Sequence, residues 1–385
     1  MISTGGIIAL GLGVKQWSLN HCISEFIQLC DKAFTPREFD GLAGLTQATT
    51  LTHGSKYKTR PLRDTLEAVF GEENLYCGTR TVSYKYDTKV AVTTTSGTGQ
   101  RAVVLANYTR QEENEPNYKF EFPHDMRVWE AARATSAAPS FFKPFEGIGK
   151  PTYLDGAIYY NNPAKVANTE RKLLWPDVAD SPPVVLLSIG TGMNKHKIEQ
   201  ELRNDDIERK AAHNSKPQRN TKVKRITKIF KPKTMKPTAF GWVSRYFDVL
   251  VSYLSEHTSQ GTLLTCCKVN RIDKILDAER EWKQFLADIS DGKQNLEDIS
   301  RYIRINIDLG EDPPALDDKS KLTYIQSKTL AILRTAECQS FVEQVAHRLI
   351  ASSFYFQKDG IIKFDEATHT WTCTGKYSRL QYYSR

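Results

Sequence analysis

The run PPVVLLSIGTG, residues 182–192, limits what this 385-residue chain can fold into. Its apolar positions do not alternate with polar ones, and glycines end it after a handful of residues. It is far shorter than the roughly 18 apolar residues a membrane span requires. A strand that is apolar on both faces must be covered on both faces, and a parallel sheet between two layers of helices provides that cover. This predicts an α/β fold, provided the rest of the chain alternates strands with helices.

It does so over the first 195 residues. TGGIIALGLG, from Thr4, reads as the start of a buried helix, and Trp17, Cys22, Phe26, Leu29 and Cys30 fall at helical spacing in the next one. RPLRDTLEAVFG has a proline near its first turn and a glycine just past its end, which bounds a short helix. Lys89–Thr95 and Arg101–Tyr108 are β-rich and flank the turn-forming SGTGQ. VWEAARATSAAPSFF is an alanine-rich helix stopped by Pro139, and PTYLDGAIYYNNP is a short strand entering a tight turn at Gly156. Further on, residues 240–254 and 321–350 read as helical, with one more strand near 301–309.

Composition excludes several classes. With 40% apolar and 25% charged residues the chain is globular, and no apolar stretch is long enough for a membrane helix. The first 13 residues lack the charged leader and cleavage site of a signal peptide. Seven cysteines without CxxC spacing argue against a zinc site and a disulfide framework, and the eight histidines show no metal-binding spacing. The expectation is a cytoplasmic protein able to sit peripherally on membranes, with no metal and no cofactor. The net charge of +8 is concentrated: residues 209–236 hold eleven Lys or Arg and no Asp or Glu. Such a segment is either a solvated loop or a dock for an anionic lipid surface, each basic residue near a membrane contributing on the order of 1 kcal/mol. No nucleic-acid-binding signature accompanies it, so no nucleic-acid partner is expected.

The chemistry begins at the third residue. Ser3 is followed by Thr4, Gly5 and Gly6 and then by an apolar helix, which is the right-hand half of a G-x-S-x-G nucleophile turn. Such a turn holds a serine hydroxyl exposed, and the helix directs its N-terminal N–H groups toward developing negative charge. A Ser-His-Asp arrangement would draw on His257 or His347, both in helical stretches where a helix-face role is the simpler reading. SIGTG lacks the lysine of a P-loop and reads as a strand-end turn lining a pocket.

Taken in order, STGGIIALGLG, ARATSAAPSFFKPF, YLDGAIYYNNP and LLSIGTG resemble the patatin-like phospholipases, most of all their fungal members. The resemblance is specific from Ser3 to about Gly192 and weaker to about residue 335. It implies a three-layer α/β/α fold with a mostly parallel central sheet, and hydrolysis of lipid acyl esters by a Ser-Asp dyad without histidine. Carried over by motif, Ser3 is the nucleophile and Asp155 of the DGA motif the base. Thr4 and Gly5 form the elbow and supply an oxyanion N–H, while Gly156, Ala157 and Asn161 support the dyad loop, with Asn162 of the same NNP block read either as support or as part of a polar turn. The substrate would be membrane or micellar phospholipid or acylglycerol.

The family's first strand and its glycine-rich oxyanion loop precede the serine and have no counterpart here, so the chain reads as starting inside the fold, with impaired activity. The alternative is a catalytically inactive interaction or regulatory module of a larger receptor-like protein. The expected organisation is an N-terminally incomplete catalytic core at 1–195, a basic insert at 196–237, a mainly helical part at 238–350 and a tail at 351–385.

Overall fold

The computed structural model describes residues 4–37, 55–76, 88–110, 116–121, 125–139, 141–147, 151–200, 203, 278–290 and 299–352, and the C-terminal strands named below. Ser3, the basic segment 209–236, the predicted helix at 240–254 and His257 lie outside the described residues.

Helix α1, Thr4–Ala9, runs straight into a π-helical turn, Leu10–Val14. Helix α2, Leu19–Ala33, starts at Ser18, whose hydroxyl accepts the N–H of His21 and so satisfies one of the donors a helix start leaves open. Its buried positions are Cys22, Leu29 and Ala33. Helix α3, Thr59–Phe70, buries Leu62, Leu66 and Phe70, a spacing of four that makes one apolar face. The Phe70 ring stacks on Trp17 with centroids 5.0 Å apart.

Strand β1, Ala91–Ser96, and strand β2, Ala102–Ala106, are the two strands expected on either side of SGTGQ and pair antiparallel as a hairpin, with Ala91 opposite Ala106. Strand β3, Lys119–Glu121, runs parallel to β2. Helix α4, Val128–Thr135, follows and is buried along its whole length. Strands β4, Phe145–Glu146, and β5, Thr152–Asp155, complete a five-stranded sheet of order β3-β2-β1-β5-β4. The sheet is mixed. Where a tight turn joins neighbours, as between β1 and β2, the strands must run antiparallel. The core lies between this sheet and helices α1 to α4, with Leu10, Leu66, Phe70, Leu105 and Met126 fully buried.

Helix α5, Ala164–Leu174, leads to strand β6, Leu186–Ile189, which pairs in parallel with β7, Tyr302–Ile305. The strand predicted near 301–309 is thus β7, and its partner β6 lies within the apolar run 182–192. That run was expected to be covered on both faces, yet Leu187 is 38% and Ile189 71% exposed. Among the described residues β7 is the only strand that pairs with β6, and Leu187 and Ile189, two positions apart, present one face of β6 outward while Ser188 on the other face is buried. Helix α6, Ala278–Ser290, packs Trp282 and Phe285 against Tyr302 and Ala164. Helices α7, Leu322–Leu333, and α8, Ala336–Ser352, fill the predicted helical stretch. The last residues, expected as a tail, contain antiparallel pairs of β8, Phe354–Lys358, with β11, Gly375–Arg379, and of β9, Lys363–Asp365, with β10, Thr370–Thr372.

Candidate active site

Strand β5 ends on Asp155, which is 1% exposed. Three contacts fix its backbone. Its N–H donates to the Ala137 carbonyl at 3.1 Å, its own carbonyl accepts the Thr95 hydroxyl at 2.8 Å, and it lies opposite Thr94 in the sheet. The Asp155 side chain accepts the N–H of Ala157 at 2.8 Å, capping a 3-10 turn over Gly156–Ile158. A buried carboxylate needs hydrogen-bond donors, and the turn that follows the strand supplies this one locally.

The turn sits tight against β1. A Cβ on Gly156 would fall 2.2 Å from the Thr93 carbonyl oxygen, so only glycine fits without displacing backbone. The start of α1 makes a matching approach: a Cβ on Gly6 would lie 2.8 Å from Thr135, the last residue of α4. The Thr135 hydroxyl donates to Thr93 at 2.7 Å. Thr93 and Thr135 therefore link the helix start that follows Ser3 to the turn that follows Asp155. Gly5, Gly6, Thr135, Gly156, Ala157 and Asn162 all line one cavity of about 760 Å³. The far wall of that cavity includes Gly190 and Thr191, the strand-end turn read from SIGTG.

A buried cation lies behind the carboxylate. Arg133 on α4 is 1% exposed and donates to the Lys143 carbonyl at 2.7 Å. Burial pulls its guanidinium down to about 10, while the charge of Asp155 works in the opposite direction. The sequence reading did not single out this arginine, although it stands inside the ARATSAAPSFF block.

Of the predicted site residues, Asp155, Gly156, Ala157, Gly5 and Thr4 fall in one neighbourhood: Thr4 opens α1, and Gly5 faces the cavity. Asn161 contributes its backbone N–H, which donates to Glu281 at 3.3 Å. The asparagine whose side chain is buried in the loop is its neighbour Asn162, at 5% exposure. The Oδ1 atom of Asn162 accepts from Ala164 N–H at 3.1 Å and from the Ser188 hydroxyl at 3.2 Å, and that hydroxyl in turn accepts from Arg304 at 2.7 Å. Arg304 is paired with Glu279. None of Glu279, Glu281 and Arg304 was visible as a site residue in the sequence: Glu281 meets Asn161 and Asn162 about 120 positions away, Arg304 meets Ser188 116 positions away, and Glu279 joins the site only through Arg304 and Asn306. His347, the triad alternative that is described, lies within α8.

The chain matches the Patatin-like phospholipase family over residues 2–168. Among curated relatives it is 23% identical over 313 residues to the calcium-independent phospholipase A2-gamma of Homo sapiens, covering 81% of this chain and 38% of that protein. It is 28% identical over 218 residues to patatin-like protein 1 of Arabidopsis thaliana, covering 51% of this chain and 49% of the relative. A third match, 37% identical over 76 residues, is to the Arabidopsis thaliana protein named probable inactive patatin-like protein 9, covering 18% of this chain and 20% of that one. The chain therefore spans less than half the length of these relatives. No helix among the described residues is long and apolar enough to cross a membrane.

Proposed function

With residues 2–168 belonging to the patatin-like phospholipase family, we propose that this chain hydrolyses lipid acyl esters with Ser3 as nucleophile and Asp155 as general base. One observation carries the reading. Gly5 and Gly6, which follow Ser3, and Gly156 and Ala157, which follow Asp155, line the same cavity. The names of the relatives, phospholipases A2 among them, support a lipid ester as the substrate class.

In this reading Asp155 takes the proton of the Ser3 hydroxyl as its oxygen attacks the ester carbonyl. A tetrahedral oxyanion forms, its collapse expels the alcohol with that proton, and an acyl group is left on Ser3. Water activated by the same carboxylate then releases the fatty acid. The N–H of Thr4 and the positive end of α1 face the oxyanion. The open, apolar side of the cavity at Leu187 and Ile189 takes the acyl chain, and the lipid is drawn from a membrane or micelle, to which the basic segment 209–236 adds attraction for anionic headgroups.

The test is hydrolysis of a chromogenic fatty-acyl ester and of a phospholipid by the wild-type chain and by Ser3→Ala and Asp155→Asn, each expected to lose about 10³-fold or more in kcat. Retention of the wild-type rate by either variant defeats the dyad. A second reading, an inactive patatin-like module, is favoured by the match to a relative whose name marks it as inactive. It predicts that the wild-type chain is inert on both substrates.

A further inference from the structure

The loop that leaves Asp155 is held by a helix more than 100 residues away in sequence. After the turn at Gly156–Ile158 the chain passes through Asn161 and Asn162 into α5. Both backbone N–H groups point to a single carboxylate on α6: Asn161 donates to Glu281 Oε1 at 3.3 Å and Asn162 to Oε2 at 2.5 Å. The Asn162 side chain adds a third bond to the same helix, donating to the Ala278 carbonyl at 3.3 Å. Two consecutive N–H groups received by one ionised carboxylate form a charge-assisted fork, which fixes orientation as well as distance.

We infer that Glu281 is a positioning residue, the clamp that sets the Asp155 loop against the cavity. The inference rests on the reading of Asp155 as the catalytic base. Helix α6 can act as a clamp because it is anchored independently of Glu281: Trp282 and Phe285 are buried against Tyr302, and Lys165 on α5 pairs with Asp288 one face over. Removing the carboxylate should therefore free the loop and leave the helix in place. Residues 156–162 then lose the restraint on their far end, and the carboxylate at their near end loses its setting. A displacement of about 1 Å in a reacting group can cost on the order of 100-fold in rate.

The experiment compares the full chain with Glu281→Ala and Glu281→Gln, Gln keeping one acceptor oxygen where Ala keeps none. Three quantities are measured: hydrogen exchange of peptides containing Asn161 and Asn162, thermal midpoint, and ester hydrolysis with kcat and KM separated. Glu281→Ala should raise exchange at these amides about tenfold or more. It should lower kcat about 10- to 100-fold with little change in KM and in the midpoint, and Glu281→Gln, with one acceptor oxygen left, should recover only part of both losses. Unchanged exchange in Glu281→Ala overturns the clamp, and faster exchange with unchanged kcat overturns the positioning role. If the midpoint of Glu281→Ala collapses, the Gln variant decides: a normal midpoint with intermediate exchange and kcat supports the clamp, and wild-type exchange or kcat overturns it. If the wild-type chain is inert the dyad reading fails, and the exchange arm still decides whether Glu281 holds the loop.

Discussion

Gly156 and Thr93 approach so closely that a Cβ on the glycine would stand 2.2 Å from the threonine carbonyl oxygen and 2.5 Å from its hydroxyl. The obstruction is backbone, which cannot swing aside as a long side chain can. Gly156→Ala should therefore push the turn off β1 and cost about 1–3 kcal/mol of stability. Because the same turn donates the Ala157 N–H to Asp155, ester hydrolysis should fall further than the folded fraction does. Chemical denaturation alongside kcat, corrected for folded protein, separates the two. A Gly156→Ala protein of normal stability and activity would mean that the turn has slack.

A second prediction concerns a buried ion pair on the other side of α5. Glu170 pairs with Arg110 at 3.2 Å, with side chains 5% and 2% exposed, and accepts the hydroxyls of Tyr108 at 3.0 Å and Tyr118 at 2.6 Å. Burial and the neighbouring carboxylate push both tyrosines well above their ordinary range, so they remain donors at any working pH. Glu170→Ala removes the carboxylate from the Arg110 ion pair and the acceptor from two hydroxyls at once, and loss of one partner of such a pair costs about 3–5 kcal/mol. Urea denaturation should show this as a lower midpoint. The double change Glu170→Leu with Arg110→Met should be less destabilised than Glu170→Ala, since it removes both charges from the interior and fills their space with apolar side chains.

These residues mark how far the sequence could be read. The β1–β2 hairpin, α3, and the strand and turn around Asp155 were legible because their signals are local: alternation, a bounding proline or glycine, a turn dipeptide. The Thr93–Thr135 contact joins two such elements, and the sequence offers no sign of it. Glu281, Glu279 and Arg304 were illegible for a different reason. Charged residues on helices and strands usually face water, and only the fold reveals that Glu281 receives the N–H groups of Asn161 and Asn162 and that Arg304, paired with Glu279, reaches Ser188. The asparagines of the NNP block, Asn161 and Asn162, illustrate the same limit. The NNP block was recognised as a unit, but which of its two side chains turns inward depends on where α6 lies. The apolar run 182–192 was rightly read as a strand, whereas its cover depended on neighbours that its own residues do not specify.

The C-terminal part is tied to the N-terminal core by a carboxylate. Asp317 accepts bonds from Lys56 and, at 2.7 Å, from the Tyr57 hydroxyl. Burial alone would raise its carboxyl, but the two donors outweigh it and hold the group below its ordinary value of 3.8. A folded-state value lower than the unfolded one means that the contact stabilises the protein fully above the ordinary value, and that this contribution fades as pH falls through the folded value. The wild-type midpoint should therefore drop on acidification below about pH 4 more steeply than that of Asp317→Asn. Parallel curves for the two proteins would show that the contact carries no net stability.

The opposite sign applies to Cys30 on α2. Burial, with Asp31 adding a smaller push, raises its thiol from 9.0 to about 11. Between these values the folded protein keeps a proton that the unfolded chain has given up, so stability falls as pH climbs from 9 to 11. At neutral pH the thiolate fraction is minute, and alkylation should be slow even though the side chain is only half-buried. Iodoacetamide labelling followed by mass spectrometry should give a Cys30 rate that rises through about pH 11, well above the ordinary thiol range, with Cys30→Ser as the blank. The same variant should lose part of the alkaline slope of the denaturation midpoint, because serine carries no proton that titrates in this window. A Cys30 rate that levels off near pH 9 would mean that the thiol is solvated as an ordinary cysteine is, and that burial does not raise it.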